Sequence, residues 1–201
     1  VNRPVAAAAL ALLAAGCLAG CGSDSANPTA AITEPPLCPV EDRAGAGNGV
    51  ILMAQSVPTS SWVPCLDVLP SGWTFQHLDA RDGLSRFWLD SDRDGPRAIE
   101  VRLEESCDTS GAVEIASDHE YTHRLERVRR VSPAYAGERY YVFRGGCLTI
   151  VFQLDKGSPG EALAVASQAV GVVSREDLQA QVHADSGGRV DLDPSGGDGQ
   201  P

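Results

Sequence analysis

Arg139-Tyr140-Tyr141-Val142-Phe143 and Cys147-Leu148-Thr149-Ile150-Val151-Phe152-Gln153-Leu154 are two runs joined through Gly145-Gly146. Aromatic and β-branched residues crowd both runs, and such residues suit a pleated, buried surface. The paired glycines between them are a hairpin signal. This hairpin is expected at the centre of an antiparallel sheet.

Upstream of it the chain alternates with period two. Trp73, Phe75 and His77 alternate with polar residues, as do Ile99, Val101 and Leu103 with Glu100, Arg102 and Glu104. Phe87 and Leu89 alternate with Arg86 and Trp88. This is the pattern of half-buried strands. Asp82-Gly83 and Asp94-Gly95 mark turns between them. Ala112 to His123 is a weaker segment. Before the strands, Val50 to Ala54 is apolar, but Pro58, Pro64 and Pro70 follow. No long helix fits there. An irregular segment carrying Trp62, Val63, Leu66, Val68 and Leu69 is expected to lie on the core.

After the hairpin the period changes. Ser158-Pro159-Gly160-Glu161 has the form of a capping box. Leu163, Ala166, Val170 and Val173 then recur at helical spacing. Ser174-Arg175-Glu176-Asp177 opens a second, shorter helix carrying Leu178 and Val182. The predicted fold is therefore α+β: an antiparallel sheet of five or six strands, two C-terminal helices, and disulfide staples.

The N-terminal end is of a different kind. Val5 to Ala19 is uncharged and rich in Ala and Leu, with Arg3 before it. It is too short for a membrane span and suits a signal segment. It ends in Leu18-Ala19-Gly20-Cys21, which resembles the lipobox of bacterial lipoproteins. The resemblance implies removal of residues 1–20 and a fatty-acylated Cys21, palmitate being the usual type of chain. It also implies a protein anchored to the cell membrane and facing outside the cytoplasm. Residues 21–48 then read as a flexible linker, 49–183 as the folded domain, and 184–201 as a disordered acidic, Gly-rich tail. With one lysine and fifteen arginines, the chain is similar to small lipoproteins of GC-rich Gram-positive bacteria, many of which have no assigned activity.

Export bears on the cysteines. Cys17 lies in the signal and Cys21 is the acceptor, which leaves Cys38, Cys65, Cys107 and Cys147. An even number in an oxidising compartment reads as a disulfide framework with three connectivities. Loop entropy favours Cys38–Cys65 with Cys107–Cys147. A four-cysteine zinc site is the alternative, but no C-x-x-C pair is present.

Four constellations bear on function. His119-Glu120-Tyr121-Thr122-His123 matches H-E-x-x-H, which on a helix puts two His on one face of a zinc ion and Glu as general base. Charged flanks and the missing third-ligand extension argue for an exposed polar segment instead. Asp90, Asp92 and Asp94 before Gly95 resemble the first half of a calcium loop, but Val101 stands where a bidentate Glu is needed. Arg124, Arg127, Arg129 and Arg130, with Arg139 and Arg144, concentrate positive charge. They could meet anionic lipid or polymer, or pair with neighbouring carboxylates. Trp62, Trp73, Trp88 and Tyr135 could line a groove or fill the core.

A net charge of −11 argues against a nucleic-acid partner. There is no G-x-S-x-G and no phosphate-binding glycine loop. The functional expectation is a non-enzymatic, membrane-anchored domain binding a protein or small-molecule ligand, with no resident cofactor. Its rivals are a zinc metallopeptidase using His119, Glu120 and His123, and an envelope component binding anions through the arginines.

Overall fold

The structure is a computed structural model that describes residues 29–39, 47–120, 122–155 and 158–194. Cys21 and the segment before it lie outside these residues. Ten strands and three helices follow in chain order among them. They are β1 (Ala30–Ile32), α1 (Asn48–Ser56), β2 (Trp62–Leu66), β3 (Trp73–Arg81), β4 (Leu84–Ser91), β5 (Gly95–Glu104) and β6 (Val113–Ile115). Then come β7 (His123–Arg130), β8 (Tyr135–Phe143), β9 (Gly146–Leu154), α2 (Pro159–Ala169), β10 (Val170–Ser174) and α3 (Arg175–Asp185).

Eight strands form one antiparallel sheet in the order β1-β3-β4-β5-β9-β8-β7-β6. It is two meanders, β3 to β5 and β6 to β9, joined along the β5–β9 seam. Register sorts the side chains. Leu89, Ile99 and Phe152 stand in one row, and Phe87, Val101 and Ile150 in the next. These six are all but fully buried. They share a core cluster with Val50, Met53, Ala54, Leu163, Ala166, Leu178 and Val182 from the helices. Each of the Val, Leu, Ile, Phe and Met side chains among them contributes roughly 1.5–3 kcal/mol by leaving water. The hairpin read as central is β8–β9, and β9 is one of the two middle strands.

The coarse class holds, but the strand count does not. Eight strands and a second, two-stranded sheet of β10 with β2 replace the five or six expected. Val170 to Val173 was expected in a helix. The helix ends at Ala169, and Val170, Val172 and Val173 pair with Leu66, Pro64 and Val63. β-branched residues prefer that pleated setting. A two-stranded ribbon is all edge, so Pro64 fits despite lacking an N–H. Upstream, the segment expected to be irregular is in part strand, since Trp62–Leu66 forms β2, and the apolar run before it is a short helix. Val50, Met53, Ala54 and Val57 share the spacing of one face, and all are buried. Ser158 is the N-cap of α2, but its side chain makes no capping bond. Ser174 caps α3 by accepting from the Asp177 N–H.

Parts of the expected linker, 21–48, and of the expected tail, 184–201, are structured. Ala30–Ile32 pairs with β3, and Cys38 is bonded to Cys65, so these parts of 21–48 belong to the fold. Residues 184–194 do not form a free tail. Leu192 is buried, its N–H donates to Gln179 Oε1, and the Asp193 N–H donates to Gln55 Oε1. One apolar side chain and two amide partners are enough to fix this strap over α1 and α3.

The second disulfide is Cys107–Cys147. It pins the chain leaving β5 to β9, where Glu104 already pairs with Cys147. Two disulfides suit an oxidising, extracytoplasmic compartment. No helix among the described residues is long and apolar enough to cross a membrane.

Candidate binding cleft

Four segments of the chain meet around one cleft of about 1130 Å³. The loop after α1 brings Thr59, Ser60 and Ser61, and leads into Trp62. The β8–β9 turn brings Arg144 and Gly145. The start of α3 brings Ser174, Arg175, Glu176 and Gln179. The strap closes one side with Leu192, Asp193 and Pro194.

The walls are tied to one another. The Ser61 N–H donates to Arg144 O at 3.2 Å, and the Arg175 N–H donates to Ser61 O at 2.9 Å. Gly145 has φ +73°, and a Cβ there would collide with the Thr59 carbonyl. Glycine therefore serves both the turn and the close approach of the two loops. Ser60 Oγ donates to Trp62 O.

Charge in the cleft is arranged unlike charge elsewhere. Arg175 donates to Ala54 O at 2.6 Å and to Asp193 O at 2.7 Å. No carboxylate lies within ion-pair distance of it among the described residues. Burial pushes its pKa below the usual arginine value, with the Asp193 charge opposing. The side chains of Arg144 and Glu176 and the carboxylate of Asp193 make no hydrogen bond or ion pair with described residues. Thr59 Oγ1 is buried without a partner among the described residues. Trp62 is half-buried against the core, and its indole N–H, too, has no partner among the described residues.

The sites expected from sequence are placed differently. His119 and Glu120 lie in a turn and His123 opens β7, so no helix aligns the two His. Strand pairing of His123 with Val142 and Arg124 with Tyr141 prevails over any helical register. The His119 ring packs against Tyr141 at 5.2 Å, and His123 Nδ1 lies 3.4 Å from Glu114 Oε1. No group of three His, Cys, Asp or Glu among the described residues could hold a metal ion.

The aspartates of the calcium-like stretch are divided among separate protein donors. Asp90 accepts from Gln76 and from the Arg97 N–H, and Asp94 accepts from Ser91 Oγ and the Asp155 N–H. The Asp92 carboxylate abuts Gly72. They close the β4–β5 turn rather than encircle one point.

The arginine cluster is split between the two faces of the sheet. Arg124 pairs with Asp118 at 3.1 Å. Arg127 and Arg129 both pair with Glu138, Arg130 donates to Ala134 O, and Arg139 pairs with Glu126 and donates to Ser167. Arg144 alone of these lines the cleft. Of the aromatics, Trp73 and Trp88 are buried and Tyr135 stacks on Phe152 at 5.1 Å. Trp62 is the one that reaches the cleft.

Sequence reading missed most of this site. Thr59, Ser61, Glu176, Gln179 and Asp193 carry no motif, and only the fold brings them together. Comparison of the chain with protein-family models, curated proteins and solved structures finds no match.

Proposed function

We propose that this chain is a lipid-anchored, extracytoplasmic domain that binds a small-molecule ligand in the cleft around Trp62, Arg144 and Arg175. One observation carries the binding reading. Donors and acceptors that have no partner among the described residues converge on a concave site beside a half-buried indole. Pockets of roughly 300–1,000 Å³ enclose drug-sized ligands, and a few polar groups fix their orientation. The anchor rests on Leu18-Ala19-Gly20-Cys21. A diacylated Cys21 carries two chains, which is sufficient for stable membrane attachment. The two disulfides agree with the same side of the membrane.

Two measurements test the reading. Cys21→Ala is expected to release the protein from the membrane fraction, or to leave uncleaved precursor, and to abolish palmitate incorporation. An unchanged fraction and mass would refute the anchor. A low-molecular-weight extract of the cell envelope is expected to raise the Tm of the full chain. Ser61→Trp, which fills the cleft, is expected to remove that rise. An equal rise in both, or none in either, would refute the cleft as the binding site.

A further inference from the structure

We propose that the ligand of this cleft is a carbohydrate, with a sugar ring on Trp62 and its hydroxyls shared among Arg144, Arg175, Glu176 and the neighbouring hydroxyl side chains. This rests on the reading of the cleft as a binding site and names the chemistry it would take.

The charges decide the class. The cleft holds two guanidiniums, from Arg144 and Arg175, and two carboxylates, from Glu176 and Asp193. None of the four is in an ion pair with another, since each pair stands beyond 4.0 Å. An anionic ligand would gain from the arginines and be repelled by the acids. A simple cation would meet the reverse. A polyhydroxylated ligand uses both signs, because each hydroxyl donates once and accepts twice. Guanidinium supplies planar pairs of N–H donors, and carboxylate supplies paired acceptors. Adjacent hydroxyls on a sugar ring match that planar spacing.

The other lining groups fit the same ligand. Thr59 Oγ1 is buried, and neither it nor the Ser61 hydroxyl has a partner among the described residues, so both can join a hydroxyl network. Trp62 offers an apolar, electron-rich face, which attracts the weakly positive C–H groups of a sugar ring. Its indole N–H has no acceptor among the described residues and can donate to a ligand. The Arg175 guanidinium is held by two carbonyls, so it is already oriented before any ligand arrives. That fixed geometry limits the entropy lost on binding. At about 1130 Å³ the cleft exceeds the usual drug-sized pocket, so it has room for more than one ring.

The test is calorimetric titration of the full chain in detergent with maltohexaose, cellohexaose and chitohexaose, followed also by tryptophan fluorescence. Trp73 and Trp88 are buried, so the fluorescence change would report Trp62. Inorganic phosphate, citrate and glycylglycine serve as anionic and zwitterionic probes. At least one saccharide is expected to bind, with affinity nearly unchanged between low and high salt. Trp62→Ala is expected to weaken it about tenfold or more. Arg144→Ala and Glu176→Gln, both at exposed positions that leave the core intact, are each expected to weaken it several-fold. Arg93→Ala, in the distant β4–β5 turn, is expected to leave it unchanged. Phosphate, citrate or glycylglycine binding without any saccharide would overturn the ligand class and leave the cleft reading standing. Binding of no probe, or saccharide binding untouched by all three cleft variants, would overturn the proposal outright.

Discussion

On one face of the large sheet Phe87, Leu89, Ile99 and Val101 are sealed beneath α1 and α2. On the other, Trp88, Thr149, Tyr140 and Glu138 are 3–6% exposed, yet they stand outside the core cluster that the helices share. Long polar side chains do the sealing there. Arg86 and Arg97 lie over the Trp88 ring at 4.9 and 5.0 Å, and His77 packs against it at 4.6 Å. Arg102 is held by Glu100 at 2.8 Å. Arg127 reaches Glu138, Tyr140 and Ser110 O together. The aliphatic stems of such residues cover apolar surface while their heads stay hydrated. The same strands thus build one face by volume and the other by charge.

That difference separates the responses to mutation. Phe87→Ala removes a fully buried ring under α1 and is expected to cost about 3–5 kcal/mol. Chemical denaturation would measure it, and a loss under about 1 kcal/mol would mean that this face is not tightly packed. High salt should leave that cost unchanged.

On the first face, the buried Tyr141 gives the contrast a pH dependence. Burial, with Asp118 assisting, raises its phenol from 10.0 to about 12. The neutral phenol is therefore favoured in the folded state. Its contribution is complete below pH 10 and is lost as pH rises towards about 12. It is worth on the order of 2 kcal/mol at most. Wild-type stability is expected to fall across this window, and Tyr141→Phe to fall less. Parallel curves for the two proteins would contradict the assignment.

The smallest effect belongs to the charged face. The Glu138 side chain is 8% exposed, but those of its partners Arg127 and Arg129 are 23% and 62% exposed. Glu138→Gln keeps hydrogen bonding and is expected to cost about 1 kcal/mol, less in high salt. A salt-independent loss as large as that of Phe87→Ala would erase the distinction between the faces.

The strands of the large sheet were legible because alternation survives in each. Ile99, Val101 and Leu103 reveal β5 without help from any other segment. The ribbon was not legible. Pro64 argues against a strand at Trp62–Leu66, and Ala166, Val170 and Val173 imitate a helix. What makes both segments strands is their pairing with each other across about a hundred residues, a long-range term that no window contains. β1 was missed for the same reason, since Ala30–Ile32 is a strand only against β3. The disulfide pairing was readable from loop lengths. The cleft was not, because its walls come from four segments whose residues are ordinary polar ones. Trp62 and Arg144 stood out by type, but nothing in the sequence separated them from the aromatics and arginines that the fold uses as filling.

The Cys107–Cys147 bond lies at the end of the seam between the two meanders, and Cys38–Cys65 ties the first strand's exit to the ribbon. In covalent terms each bond closes a ring. One peptide cut anywhere between residues 107 and 147 opens the larger ring without separating the chain, and a cut between 38 and 65 does the same in the smaller. The turn that carries His119 and Glu120, and the exposed arginines of β7, all fall inside the larger ring. The oxidising, extracytoplasmic setting that two disulfides suit also holds proteases, and these sites are where a single nick leaves the molecule in one piece.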